Sequence, residues 1–298
     1  MKIGIIGAGR VGTAFALALS GSEAEVSGVC SRSVQAVDWI SSKLERSYDN
    51  DIAAAIKEAE VILLTVPDSA IAGLAVEIHT ACASAIGGKT FLHCSGALTS
   101  AELEPLSRNG GYTGSLHPIQ TFASKEDGWK GMSGIFFGYE GCARAREKAL
   151  RLVNILDGTL LDIKPEAKPL YHAAACILSN YTAALSHVTG MLLDAAGTGK
   201  AVGIKAFMPL LRNTVENIAA QGSLNALTGP IARGDGLTVA GHLKALDGGY
   251  GDIPELYRVL GRITVRMAVE KGSIDEAKAE RLLKVLGQDG GAYEHGEP

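Results

Sequence analysis

Three glycines near the start of the chain, Gly7, Gly9 and Gly12, stand in the spacing G-x-G-x-x-G, which can present backbone N–H groups to a diphosphate. The first allows a tight turn, the second lets the backbone approach a ligand, and the third lets a helix lie close to a strand. Gly7, Ala8, Gly9, Arg10, Val11 and Gly12 are therefore candidate cofactor-binding residues, although a glycine turn of this kind can also serve as a plain strand-to-helix joint. Further along, Ser31-Arg32-Ser33 stands where an NAD-binding turn would carry an acidic residue. A guanidinium flanked by hydroxyls suits a ribose bearing a 2′-phosphate, which a carboxylate would repel, so the expected cofactor is NADP(H). The other reading of Arg32 is a solvated side chain in a surface turn.

These residues need a parallel sheet to position them. The first half of the chain alternates short β-branched apolar runs with amphipathic stretches, the pattern of a sheet covered on both faces. Strands are expected at residues 2–6, 25–30, 61–66, 90–93, 112–116, 135–139 and 159–163, with helices at 11–19 and 34–44. Beyond residue 165 the chain turns to alanine- and leucine-rich segments at helical spacing: 170–196, 205–220, 239–246, 254–271 and 274–286. The fold class read from this is an α/β, Rossmann-like doubly wound sheet over 1–165 followed by an all-α domain over 166–298. The polar, glycine-rich tail from Gln288 is expected to be disordered.

In such a sheet ligands lie beyond the carboxyl ends of the strands. Three clusters fall there: Val66-Pro67-Asp68, His93-Cys94-Ser95-Gly96 and His117-Pro118-Ile119-Gln120. On the first long helix of the second half, about 100° per residue brings Cys176 and Ser179 to the face of His172, with Asn180 at its edge. The loop containing Thr228, Arg233 and Asp235 has two readings. Arg233 meets a substrate carboxylate, or Asp235 caps the next helix and pairs with Arg233.

Composition narrows the partners. A hydrophobic fraction of 47% with 20% charged residues is that of a globular chain, and a net charge of -4 without blocks of like charge argues against nucleic acid or an anionic membrane. A small-molecule substrate is the expected partner. Five scattered cysteines, odd in number and without C-x-x-C spacing, argue against a disulfide frame and a zinc site, so no metal is expected. No apolar run is long enough to span a bilayer, and the first residues do not read as a signal peptide; a cytoplasmic location is expected.

The segments GAGRVG at 7–12, TVPD at 65–68, HCSGAL at 93–98, SLHPIQTF at 115–122, YHAAACILSNY at 171–181 and LTGPIARGD at 227–235 carry a resemblance over nearly the whole chain. It resembles a family of NADP-linked oxidoreductases that joins a Rossmann-like domain to a helical domain of unknown function, similar in architecture to ketopantoate reductase and pyrroline-5-carboxylate reductase. A weaker likeness is to prephenate dehydrogenase, in which a serine after one strand and a histidine in an H-P turn after the next touch the reacting hydroxyl. Ser95 and His117 match those two positions. Hydride transfer to a carbonyl leaves an alkoxide that needs a proton, which a histidine can deliver and a serine can relay.

The resemblance implies an NADP(H)-dependent oxidoreductase acting on a small keto or hydroxy acid or an imine, with two subunits paired through their helices. Its catalytic candidates are Ser95, His117, His172 and Asn180, and its substrate contacts Gln120, Thr228 and Arg233. Ser31, Arg32, Ser33, Val66, Pro67, Asp68 and Ser95 join the glycine turn around the cofactor. One departure stands out: ketopantoate reductases carry a lysine inside the long helix, and this chain has none between Tyr171 and Leu193. Two other functions stay open, a non-catalytic NADP(H)-binding sensor and a hydroxy-acid oxidation of the prephenate dehydrogenase kind.

Overall fold

The structure is a computed structural model that describes residues 1–287, without the side chains of residues 200 and 201. The expected disorder of the tail from Gln288 lies outside the described residues. In chain order the elements of the first half are β1 (Lys2–Ile6), α1 (Arg10–Ala18), β2 (Glu25–Cys30), α2 (Val34–Leu44), α3 (Ile52–Lys57), β3 (Val61–Leu64), α4 (Asp68–Cys82), β4 (Thr90–His93), α5 (Glu104–Arg108), β5 (Tyr112–Pro118), β6 (Phe136–Gly141), α6 (Ala143–Ile155) and β7 (Thr159–Asp162). The second half holds α7 (Lys168–Ala195), α8 (Lys200–Ala226), α9 (Pro230–Arg233), α10 (Gly236–Leu246), α11 (Ile253–Glu270) and α12 (Glu276–Val285).

The seven strands lie in the order β2-β1-β3-β4-β5-β6-β7. Both faces of the sheet are covered, and the run Val61-Ile62-Leu63-Leu64 shows how. Val61 and Leu63 join a core with Ile3, Ile5 and Phe15, whereas Ile62 and Leu64 join one with Ile56, Ile71 and Phe91. Side chains alternate across a strand, so a continuous apolar run is what a strand buried on both faces requires. The strands from β2 to β5 pair in parallel, but β6 runs antiparallel to β5. Between residues 118 and 136 there is only a short 3₁₀ turn, Gly128–Gly131, and a chain that returns without a crossover helix enters the sheet in the opposite sense.

Contacts divide the chain after Thr182, inside α7, into units of Met1–Thr182 and Ala183–Pro298. The composition changes earlier, at 165, because the first turns of α7 belong structurally to the sheet: Lys168 is buried there and Tyr171 and His172 are half-buried. The second unit has its own core, in which Ile231, Val239, Leu243, Val265, Leu282 and Leu286 pack together. Its α8 is longer than the expected 205–220 and is interrupted at Gly222, which adopts φ +79°. Among the described residues no helix is long and apolar enough to cross a membrane.

Candidate active site

The glycine turn closes around Thr65. Gly7 takes φ +113°, and a Cβ there would lie 2.6 Å from the carbonyl oxygen of Thr65. The Thr65 hydroxyl donates to the Gly7 carbonyl at 2.6 Å. At Gly12 a Cβ would meet that same carbonyl oxygen at 1.9 Å, so only glycine lets α1 pack this closely on β1. Gly9 differs from both: a Cβ there would find nothing nearer than 4.0 Å. It faces a cavity of about 620 Å³, of the size that holds small ligands. The helix behind it starts with no side-chain cap on its amides.

Gly7, Ala8, Gly9, Ser31, Arg32, Ser33, Val66 and Pro67, all expected at the cofactor, wall this cavity; Arg10, Val11, Gly12, Asp68 and Ser95 are not part of its wall. Arg32 is exposed and makes no ion pair or hydrogen bond among the described residues, while Ser33 accepts from the Ala36 amide and caps α2. A turn with bare amides, an open Gly9 and an uncommitted guanidinium at the end of β2 fits a phosphorylated dinucleotide.

The candidate catalytic residues lie further along the same sheet edge. The register aligns Leu64 with His93 and His93 with Ser115, so Val66, Ser95 and His117 each stand two residues beyond one row. Three strand spacings separate β1 from β5, roughly 14 Å in all. Ser95 is buried, and its hydroxyl donates to Asp68 Oδ2 at 2.7 Å while accepting from the amides of Ala97 and Leu98. With its proton and both lone pairs engaged, the hydroxyl shapes the turn and ties it to the start of α4. His93 accepts the Ser95 amide at Nδ1, so its Nε2 carries the proton and donates to the Thr99 carbonyl at 3.0 Å. Burial pushes this imidazole down to about 4. It is a strand-end structural residue.

His117 has a different environment. Its Nδ1 lies 2.7 Å from the hydroxyl of Tyr171, and the two rings meet edge to face. Burial first, then His172 and Lys168, lower its pKa to about 4, whereas burial raises that of Tyr171 to about 12. Near neutral pH both are uncharged. Because Tyr171 keeps its proton, the consistent arrangement has its O–H donating to Nδ1 and the His117 Nε2 bearing a proton. Two glycines make room for this pair. Gly138, opposite His117 in the β5–β6 ladder, would place a Cβ 2.5 Å from the Tyr171 oxygen. Gly96 would place one 3.1 Å from His117 Nε2 and 2.6 Å from the ring of His172, which itself stacks edge-on against His117.

Sequence reasoning did not find Tyr171, Gly138 or Lys168. Lys168 is 1% exposed, and its ammonium donates to the Ser95 carbonyl at 3.2 Å and to the Ser115 hydroxyl. Burial lowers its pKa, against the opposing pull of Glu140 and Asp68. A signal was present: a cation on the first residue of a long helix opposes the helix dipole and needs another reason to be there. Lys168 lies three residues before the stretch from Tyr171 to Leu193 that carries no lysine.

The remaining candidates spread out. Asn180 is exposed on α7, whereas Cys176 and Ser179 share the half-buried face of His172 as the helical spacing predicts. Gln120 uses its side chain locally, donating to the Gly131 carbonyl and accepting from the Thr121 amide. Thr228 and Arg233 belong to the second unit, where Arg233 ends α9. There Asp235 caps α10 through the Thr238 amide at 3.0 Å and forms no ion pair with Arg233 among the described residues. No group of three or more metal-binding side chains occurs among the described residues.

Residues 1–118 match the Rossmann-like domain family, and residues 135–264 match a domain of unknown function, DUF2520. No curated protein matches the chain. A Bacteroides fragilis protein provisionally named an NADP oxidoreductase is 25% identical, with a TM-score of 0.67 over 89% of this chain and 98% of its own. A Thermotoga maritima protein gives 23% identity and a TM-score of 0.72 over 91% and 100%. The NADP-bound pyrroline carboxylate reductase of Plasmodium falciparum shares the fold at 14% identity, with a TM-score of 0.57 over 96% and 98%. The first match ends at Pro118 and the second begins before Gly138, so His117 and its partner Tyr171 come from different matched segments. The chain thus joins a segment similar to the Rossmann-like domain family to one similar to the DUF2520 family.

Proposed function

We propose that the protein is an NADP(H)-dependent oxidoreductase that moves a hydride between the nicotinamide and a small keto acid, hydroxy acid or imine. The observation that carries this reading is the order of features along one sheet edge: a glycine-walled cavity with an uncommitted guanidinium at β1 and β2, then a neutral His–Tyr pair at β5. The similar B. fragilis and P. falciparum proteins, named for an NADP oxidoreductase and crystallised with NADP respectively, support the cofactor assignment.

The bound nicotinamide would supply or accept the hydride. His117 holds the exchangeable proton at Nε2 and Tyr171 stands behind it at Nδ1, so as that proton leaves toward the product oxygen or nitrogen the Tyr171 proton passes to Nδ1, and the tyrosinate left behind takes a proton from water. Ser95, with its hydroxyl committed, orients the turn that carries Gly96 against His117 and His172. This differs from a simple Ser–His relay, in which the serine would pass the proton. Exposed apolar side chains on α7 within the first unit, Leu170, Ile177, Leu178 and Tyr181, suit a helix that pairs with a second copy, and a homodimer is part of the reading. The five cysteines are unpaired, which suits the cytoplasm.

A screen of NADPH oxidation over ketopantoate, pyrroline-5-carboxylate and other small keto acids and cyclic imines tests the proposal. Turnover with one of them is expected. Tight NADPH binding with no turnover in either direction across the panel would replace the enzyme by a cofactor-binding sensor, and oxidation of a cyclohexadienol with NADP+ alone would select the prephenate dehydrogenase-like reaction.

A further inference from the structure

The cofactor cavity has a wall that neither the glycine turn nor β2 provides. Lys125 lines it from residues 119–131, the segment between β5 and β6, which crosses over α1: Gly128 lies against Ala14 of that helix and against Phe122. The segment is braced by its own contacts. Gln120 donates to the Gly131 carbonyl, the Asp127 amide donates to the Ser124 hydroxyl, the Trp129 indole donates to the Glu126 carbonyl, and Lys130 pairs with Asp127. Lys125 sits in the middle of this strap and makes no hydrogen bond or ion pair among the described residues.

The charged residues of the wall are Arg32, Lys125 and Glu77, and none of the three forms an ion pair among the described residues. The cavity therefore presents two cations against one carboxylate, next to the bare amides that open α1. A monoester phosphate carries close to two negative charges near neutral pH, and the diester-like diphosphate of a dinucleotide already has the helix amides to meet it. One guanidinium neutralises only half of a 2′-phosphate. We propose that Lys125 is the second cation for that group, reaching from the strap across the cavity so that Arg32 and Lys125 hold the 2′-phosphate between them. This rests on the cofactor reading above and adds to it a residue that lies 93 positions away from Arg32 in the chain.

Calorimetric titration of the full chain with adenosine 2′,5′-bisphosphate, adenosine 5′-diphosphate and adenosine 5′-monophosphate tests this. The unaltered protein should prefer the bisphosphate to the monophosphate. Lys125→Ala should weaken the bisphosphate about tenfold, as expected for one lost charge-assisted contact, and leave the monophosphate unchanged. Lys125→Arg should restore most of the affinity and Lys125→Glu should lose more than alanine does. Bisphosphate affinity unchanged in Lys125→Ala while Arg32→Ala loses it would overturn the role of Lys125 and leave the cofactor reading standing. Equal losses for all three nucleotides would place Lys125 on a 5′-phosphate and overturn the 2′ assignment. Failure of the unaltered protein to bind any of them or NADPH would remove the cofactor reading itself. Thermal melts of each variant, expected to match the parent because the side chain carries no internal contact, separate lost binding from lost folding.

Discussion

Gly138→Ala is a test of the His–Tyr pair that touches neither member of it. A Cβ at this position would lie 2.5 Å from the Tyr171 oxygen, and ordinary contact begins near 3.4 Å. The hydroxyl must retreat by about 0.9 Å, which stretches its 2.7 Å bond to His117 Nδ1 by up to that amount, to a limit of about 3.6 Å at the edge of hydrogen-bonding range. A half-buried hydrogen bond lost in this way is worth about 1–2 kcal/mol, and if the same contact holds the proton relay in register kcat should fall about five- to thirtyfold. The assay is steady-state consumption of NADPH with the substrate found by screening, with KM for NADPH expected to hold constant because the cavity wall is untouched. Tyr171→Phe should lose a similar factor. The double variant should lose far less than the product of the two single losses, since the bond that Gly138→Ala breaks is already gone, although the ring carbon Cζ, 2.8 Å from the added Cβ, must still shift. Full activity in Gly138→Ala beside a slow Tyr171→Phe would refute the steric route, and full activity in both would remove the pair from the reaction.

Other consequences are as direct. Arg32→Ala should weaken NADPH at least tenfold while changing NADH little, measured by fluorescence titration of both coenzymes; equal losses would leave the 2′-phosphate assignment without support. His93 and His117 both titrate near 4 in the folded protein against 6.5 when free, so between those values the unfolded chain binds protons that the folded one refuses. Stability should therefore be complete above pH 6.5 and fall as the pH drops toward 4, by on the order of 3 kcal/mol for each histidine. Urea titrations at a series of pH values measure this, and a His117→Gln variant should show a shallower acid loss. Leu178, 79% exposed on α7, is the place to break a dimer: Leu178→Glu should convert it to monomers in sedimentation, and a parent protein that is already monomeric at micromolar concentration would contradict the pairing.

The positions of the elements were readable because they rest on local rules. The bounds of β1, β2, α2 and β4 come directly from apolar runs and helical periodicity, and the glycine turn is legible from spacing because each glycine answers a short-range demand. Helices α3, α4, α5 and α6 were not expected; α3 and α5 are single turns too short to show a period, whereas α4 and α6 are as long as the helices that were read and were passed over. The reversed direction of β6 was missed as well, because the alternation of strand and helix implies parallel pairing and only the absence of a crossover helix argues otherwise.

The chain by itself determined a dinucleotide turn, an arginine suited to a 2′-phosphate and a sheet edge on which Ser95 and His117 would both stand. Tertiary structure decided what those two residues do. Ser95 is committed to Asp68 and to its own turn, and His117 is joined to a tyrosine 54 positions later that no local pattern could have marked. Lys168 and Lys125 have the same origin. Hydrogen-bond partners and cavity walls depend on which segments the sheet and its crossings bring within a few ångströms, and that distance is a property of the packed chain alone.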